Sequence, residues 1–358
     1  MRFPDFLQEG ETIGFIAPSF GASIEPYHSR FQNALRIFEQ KGYESKIGPN
    51  CFRGDGIGIS ASPFECAVEF MEAYEDAESK VLISCGGGEL MCRILPHIDF
   101  ERVKKATPKW FLGYSDNTNL SFLLTTVCDV ASVYGPCAGT FGMEPWHESI
   151  TDAFDTIKGQ KNTYYNYKKF ADPTKKNSEE PLVAYEFDMP TTLKAFEALE
   201  NFSQEEDMLQ YPFAETESVE MEGRLIGGCM DCLITLTGTQ FDCVDQFLES
   251  YKEDGFIWFL EACDLNVFSM TRAVWQMKNA GWFRYVKGFL IGRPMHYGET
   301  FGELNQYNAI LAELAQLKVP VIMDVDLGHV SPQMPFICGA YAKISYNRRE
   351  LIVTQECK

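Results

Sequence analysis

The chain has 358 residues, of which 45% are apolar and 23% charged, and its formal net charge is −20. That length holds two domains of ordinary size, and the composition is that of a globular protein rather than a disordered or fibrous one. The acidic balance argues against partners that need basic clusters, namely nucleic-acid phosphates and anionic membrane surfaces.

No run of about 18 apolar residues occurs, so no membrane span is predicted. Residues 1–10 lack an apolar signal region, and a cytoplasmic location is expected. The twelve cysteines then read as reduced thiols, mostly packed as small apolar residues.

Residues 12–17 (T-I-G-F-I-A) form a short apolar strand, and 18–21 a turn. Residues 26–41 carry Phe31, Leu35 and Phe38 on one helical face and stop at Gly42. A second strand follows at 43–47. The helix predicted at 62–77 has Pro63 in its first turn, where its missing N–H costs nothing. The strand at 81–84 runs into Cys85-Gly-Gly-Gly88, and 89–95 has the pattern of a helix. Residues 110–112 are again a strand. They enter the tight turn Gly113-Tyr-Ser-Asp116, and a helix starting near Asn117 carries Leu120, Phe122, Leu123 and Leu124. The strand at 131–134 leads to Gly135-Pro136. Strands alternating with helices of this length predict βαβ units and a parallel sheet. Sites in such sheets gather beyond the carboxyl ends of strands. Those ends hold Pro18-Ser19, Gly86 to Gly88, Ser115 and Gly135-Pro136.

The character changes at about 150–182. Residues 149–171 are polar and tyrosine-rich, and 172–181 (D-P-T-K-K-N-S-E-E-P) form turns with little to bury. The chain therefore divides into a first domain at 1–150, a linker region at 151–182 and a second domain at 183–358. In the second part helices are predicted at 191–201, up to 237, at 269–280 and at 307–317. Strands are predicted up to Gly227-Gly228 and at 255–261, 286–291, 319–324, 341–346 and 350–354. This is a mixed α/β or α+β domain.

Ser115 sits where a strand turns sharply into a helix. Its hydroxyl is held out at the sheet edge, and the N–H groups that follow are free to meet a developing anion. The simpler reading is a helix cap. A nucleophilic serine needs a base and an acid. The chain has five histidines. His28, His97 and His147 read as surface or packed loop residues. His296 and His329 both lie in loops after strands, and the residues alone do not choose between them. Glu261 follows five apolar residues and is an acid desolvated at a strand end, or else one that turns to water. Cys229-Met-Asp-Cys232 lacks a second such pair or a nearby His pair, so no metal site is expected. A thiol chemistry using Cys229 and Cys232, or Cys85, is a separate possibility.

With Ser115, Glu261 and His329 aligned, the chain resembles the LD-carboxypeptidase family of serine peptidases, which includes murein tetrapeptide carboxypeptidases and microcin C immunity proteins. The resemblance rests on Gly14-Phe-Ile-Ala-Pro-Ser19, Cys85-Gly-Gly-Gly88 with Arg93-Ile-Leu-Pro-His-Ile-Asp99, Gly113-Tyr-Ser-Asp116 and Tyr134-Gly-Pro136. It continues through Leu225-Ile-Gly-Gly228 with Gly238-Thr239, Phe259-Leu-Glu261, Gly288-Phe-Leu-Ile-Gly292 and Gly328-His329. It implies a Ser-His-Glu triad of Ser115, His329 and Glu261, with His296 demoted to a neighbour. It also implies an N-terminal Rossmann-like parallel-sheet domain carrying the serine, a C-terminal mixed domain carrying the other two, and a homodimer.

Gly86 or Gly87, together with Asp116, would then supply the oxyanion N–H groups, glycine allowing the closest backbone approach. No cofactor is needed. The glycine run lacks both nucleotide-binding fingerprints, but a nucleotide-bearing substrate is open, with Trp146, Trp275 and Trp282 as stacking candidates against a plain packing role. Murein-recycling enzymes resemble Arg-Gly-Gly-Tyr-Gly where this chain has Cys85-Gly-Gly-Gly-Glu89. The family's usual Gly-Gly-Asn is Gly227-Gly228-Cys229 here, and the Asn common after the family histidine is absent from Val330-Ser-Pro-Gln-Met-Pro335. The run at 85–89 points toward the microcin-immunity branch and a small peptide or peptidyl-nucleotide substrate. Murein tetrapeptide cleavage in peptidoglycan recycling, or a catalytically silent binding protein on the same fold, are the alternatives.

Overall fold

The computed structural model describes residues 1–55, 58–173, 180–199 and 213–358. In the first half β1 (Thr12–Ile16), β2 (Glu44–Ile47), β3 (Ser79–Ser84), β4 (Trp110–Gly113) and β5 (Ser132–Tyr134) alternate with helices. These are α1 (Tyr27–Gln40), α2 (Pro63–Glu75), α3 (Phe100–Lys105) and α4 (Thr118–Thr126). Helix α1 buries Phe31, Ala34 and Phe38, as its spacing predicts. Helix α4 is buried on every side, because it lies between the two halves of the molecule and packs on both.

The polar stretch expected to be a linker is structured at its start. Helix α5 (Glu148–Ile157) buries Ile150, Ala153, Phe154 and Ile157 in the core beside β1 and α1. Strands β6 (Thr163–Tyr165), β7 (Lys169–Phe170) and β8 (Met189–Pro190) follow. Next come β9 (Lys194–Ala198), β10 (Phe213–Thr216), β11 (Ser218–Cys229), α6 (Met230–Leu236) and α7 (Val244–Ser250). The chain closes with β12 (Phe256–Glu261), α8 (Val267–Asn279), β13 (Val286–Gly292), α9 (Gln306–Leu314), β14 (Val321–Val325), β15 (Phe336–Cys338), β16 (Tyr341–Asn347) and β17 (Glu350–Glu356).

The first sheet has six strands in the order β15-β5-β4-β3-β1-β2. Strands β1 to β5 are parallel, and β15 pairs antiparallel with β5. The second has nine, in the order β10-β9-β14-β13-β12-β11-β16-β17-β6. Its centre, β11 to β14, is parallel, and its flanks are antiparallel. The α/β class and the parallel first sheet follow the sequence pattern. Two local expectations fail. Residues 89–95 hold short 3-10 turns at Met91–Arg93 and Leu95–His97 rather than a helix. The helix expected at 191–201 is instead strand β9 as far as the described residues extend, because pairing with β14 and β10 supplies its hydrogen bonds. One hydrophobic core runs through both halves, joining Phe70, Phe111 and Leu123 to Trp258 and Trp282.

Among the described residues no helix is long and apolar enough to cross a membrane. All twelve cysteines are unpaired and eight of them are buried.

Candidate active site

Ser115 begins the turn after β4, with a backbone φ of +63°. That region is costly for a residue with a Cβ and persists only where the surroundings enforce it. The enforcement is visible. Asn117 Nδ2 donates to the carbonyls of Gly86 (2.8 Å) and Tyr114 (3.0 Å). The Asp116 carboxylate accepts from Ser19 Oγ (2.5 Å) and from the N–H of Met91 (2.8 Å). Ser19 and the glycine run thus hold the turn in place from the ends of β1 and β3.

Glu261 closes β12 and is fully buried. His329 lies in the loop after β14. This loop is anchored by the ion pair of buried Arg293 with Asp326, by Arg293 Nη1 donating to the Asp324 carbonyl (2.7 Å), and by the Tyr167 N–H donating to Asp326 (2.7 Å). Gly328 precedes the histidine at φ +92°, and a Cβ there would stand 2.4 Å from Glu261 Oε2. Only glycine brings the loop this close.

The three side chains meet. His329 Nδ1 lies 2.9 Å from Glu261 Oε2, and His329 Nε2 lies 2.8 Å from Ser115 Oγ. A carboxylate can only accept, so Nδ1 carries the proton and Nε2 accepts from the serine hydroxyl. Burial works against charge on Glu261, but the facing imidazole and the Tyr134 hydroxyl hold its pKa below the ordinary value. Burial likewise lowers the pKa of His329, yet the Glu261 charge outweighs it and holds the imidazole well above its usual value. The arrangement can take a proton from Ser115 and keep the resulting imidazolium stable.

Of the histidines left open by sequence, His329 is the one brought to Ser115. His296 is half exposed and faces Glu299. His147 caps α5, His97 packs on Phe64 and His28 binds the Ala22 carbonyl. Gly87 lies against the serine: a Cβ on it would fall 2.9 Å from Ser115 Oγ, whereas one on Gly86 would face Phe20.

The thiols fit a nucleophilic role poorly. Burial raises the pKa of Cys85 strongly, and contact with Cys232 together with burial raises that of Cys229, which leaves both protonated and unreactive. Cys229, Glu261 and His329 do form a trio whose donor atoms lie within 4.8 Å of one another. Both Glu261 oxygens already accept hydrogen bonds.

Tyr134 was not singled out from the sequence. It is fully buried at the end of β5, donates its hydroxyl to Glu261 Oε1 (2.6 Å) and accepts the Ser115 N–H (3.2 Å). The available signal was a tyrosine ending a short buried strand, whose hydroxyl needs a buried partner. A cleft of about 320 Å³ opens beside His329 and Gly87, lined by Tyr27, Tyr114 and Tyr185. None of the three tryptophans considered for stacking lines it. Trp282 stacks on Phe122 and Trp258 in the core, Trp146 packs among Phe38, Phe141 and Phe154, and Trp275 is exposed.

Comparison with known proteins gives matches along the whole chain. Residues 13–135 match the LD-carboxypeptidase N-terminal domain, and residues 222–344 match the LD-carboxypeptidase C-terminal domain. The chain is 23% identical to the microcin C7 self-immunity protein MccF of Escherichia coli, over 98% of this chain and 95% of that protein. It is 22% identical to a probable murein peptide carboxypeptidase of Bacillus subtilis, over 98% and 93%. A crystal structure of an MccF-like protein from Bacillus anthracis superposes with a TM-score of 0.77 at 23% identity, covering 99% of both chains. MccF in complex with glutamyl sulfamoyl guanosine gives a TM-score of 0.77 at 19% identity, over 99% and 98%.

Proposed function

The chain belongs to the LD-carboxypeptidase family of serine peptidases, and from that premise we propose that it hydrolyses an amide bond with Ser115 as nucleophile, His329 as base and Glu261 as the orienting acid. The observation that carries this reading is the unbroken relay from Ser115 Oγ through His329 to Glu261, at 2.8 and 2.9 Å.

His329 removes the serine proton as Oγ attacks the carbonyl carbon. It then returns that proton to the leaving nitrogen, and water hydrolyses the acyl-enzyme with the same base. Glu261 fixes the tautomer and stabilises the imidazolium. Tyr134 acts as a positioning residue by tying Glu261 to the Ser115 backbone.

The oxyanion falls to the N–H groups of Gly87 and Asp116. The Gly86 and Gly87 carbonyls are taken by Asn117 and Phe20. In a trans peptide the Gly87 N–H points opposite to the Gly86 carbonyl, away from Asn117. Gly86 itself turns toward Phe20 and is the weaker candidate of the two glycines. One such donor contributes about 3–4 kcal/mol to the transition state.

The leaving group is a nucleotide-like moiety. The cleft beside His329 is in the size range of ligand pockets, and its three tyrosines offer faces for a base and hydroxyls for a ribose or phosphate. Structures of MccF hold glutamyl sulfamoyl guanosine and aspartyl sulfamoyl adenosine, and a further MccF-like protein holds AMP. The reading includes a first domain at 1–150, a linker region at 151–182 and a second domain at 183–358, in a cytoplasmic homodimer. Sedimentation of the purified protein at twice the monomer mass would bear out the dimer.

The test compares wild type with Ser115→Ala on an aminoacyl sulfamoyl adenosine and on a murein tetrapeptide ending in D-Ala. We expect cleavage of the adenosine compound by wild type and a loss of about 10⁴-fold or more in kcat for Ser115→Ala. Release of D-Ala alone would make this a murein carboxypeptidase, and equal rates for the two proteins would end the serine mechanism.

A further inference from the structure

A second, smaller cavity of about 90 Å³ adjoins Ser115 and is separate from the tyrosine-lined cleft. Its wall includes Ser115 and Asp116 but not His329. The imidazole that hands a proton to the leaving nitrogen must face the leaving group, so the cleft that His329 lines takes the leaving group and this smaller cavity takes the acyl side.

The wall of the smaller cavity is acidic. Glu89, Asp231 and Asp264 line it with Asp116, and among the described residues no lysine, arginine or histidine does. Burial, followed by the charges of Asp264, Asp116 and Asp231, raises the pKa of Glu89, while the His329 charge works to lower it. Asp231 is held in place: Oδ1 accepts the Asp264 N–H (2.9 Å), and Oδ2 accepts the Cys263 N–H (3.0 Å) and Cys229 Sγ (3.3 Å).

A second, independent feature is Asn119, which lines the same cavity and is 1% exposed. Its Nδ2 donates to the backbone carbonyl (2.9 Å) and the carboxylate (3.0 Å) of Asp116. Its Oδ1 is buried with no hydrogen-bond partner. A buried acceptor left without a partner is costly, and Asn119 stands in the wall of a cavity rich in carboxylates. Such a wall carries several carboxylates, and an ammonium or guanidinium group would bring it positive charge and N–H donors together.

We propose that this cavity is an acyl-side specificity pocket that takes a positively charged nitrogen of the substrate, with Asp231, Asp264 and Glu89 as counter-charges and Asn119 Oδ1 as a hydrogen-bond acceptor. The pocket has room for the end of an aminoalkyl chain and little more. The proposal rests on the reading of Ser115 as nucleophile for its assignment to the acyl side, and the acidic wall makes a carboxylate side chain the worst occupant. The cation can come from the side chain of the acyl residue or from its α-amino group.

Four acyl sulfamoyl adenosines separate these sources: lysyl, norleucyl, hexanoyl and glutamyl. Wild-type kcat/KM should favour lysyl over norleucyl by about tenfold or more if the side chain supplies the charge, and norleucyl over hexanoyl by a similar factor if the α-amino group does. Glutamyl should be slowest in either case. In Asp264→Asn and Glu89→Gln the favoured ratio should fall toward one.

Binding of the same four compounds to Ser115→Ala, by calorimetry, reads the preference without turnover. A preference in binding accompanied by undiminished turnover in Ser115→Ala would keep the cationic pocket and remove the serine mechanism. Equal rates and affinities within both pairs, or a preference for glutamyl, would overturn the pocket while leaving the serine mechanism standing.

Discussion

Ser115 holds a left-handed backbone that most residues avoid, and the strain is borne by Asn117, Asp116 and Ser19 around it. The hydroxyl is thereby presented to His329 rather than to its own helix. The pH behaviour follows from the charges. A base must be neutral to act, so with His329 as the proposed base kcat/KM should rise with pH through its pKa. Glu261 holds that pKa above the ordinary imidazole value, so the acid limb of the profile should lie above pH ~6.5. Glu261→Gln removes the charge that raises it. The limb should move to lower pH, and kcat should fall by about 10⁴-fold, as when other triad acids are neutralised. A pH–rate series on both proteins checks this, and an unmoved limb would contradict it. Tyr134→Phe takes a donor from Glu261 and an acceptor from the Ser115 N–H. It should lower kcat by about 10–100-fold with the fold intact by circular dichroism. Ser115, Glu261 and His329 were legible in the sequence through the family resemblance, since the residues alone left His296 and His329 open. Tyr134 and Asn119 were not, since their roles depend on partners distant in sequence or on the shape of a cavity.

At the scale of elements, the local patterns were read most reliably where periodicity and breakers agree. Helix α1 shows an apolar face and a stop at Gly42. Helix α8 was expected from residue 269 but starts at Val267, because the Asn266 side chain accepts the Ser269 N–H at 3.0 Å and sets the end two residues earlier. Asn266→Ala should cost about 1 kcal/mol of stability by chemical denaturation, and an unchanged denaturation midpoint would show that the cap contributes nothing. Strand β9 was mistaken for a helix since the pattern at 191–201 lacks a period of two. Its strand character is imposed by the neighbours β14 and β10.

Across the whole molecule, the two sheets are interlocked rather than strung in sequence. Strand β15, from residues 336–338, completes the edge of the first sheet beyond β5. Helix α4, from the first half, is wrapped on all sides and packs on β11 and α6. A hydrophobic core continuous from Phe70 to Trp282 predicts a single cooperative thermal transition. Calorimetric and van't Hoff enthalpies should agree, and two resolved transitions would refute this. For the same reason a fragment of residues 1–150 should fail to give a cooperative melt, because it lacks β15 and leaves α4 uncovered.

The sequence by itself determined the α/β class, the strand-turn-helix context of Ser115 and the family resemblance, which pointed to Ser115, Glu261 and His329. These are properties of short windows and of their order along the chain. The tertiary structure decided what long-range packing decides. It brought His329 to Ser115 across a separation of 214 residues and to Glu261 across 68. It also placed Tyr134 behind both and set tyrosines rather than tryptophans around the cleft beside His329. It gathered Glu89, Asp231 and Asp264, far apart in the chain, around one small cavity. Local sequence reports which groups are present; only the fold sets the distances over which their charges and hydrogen bonds act.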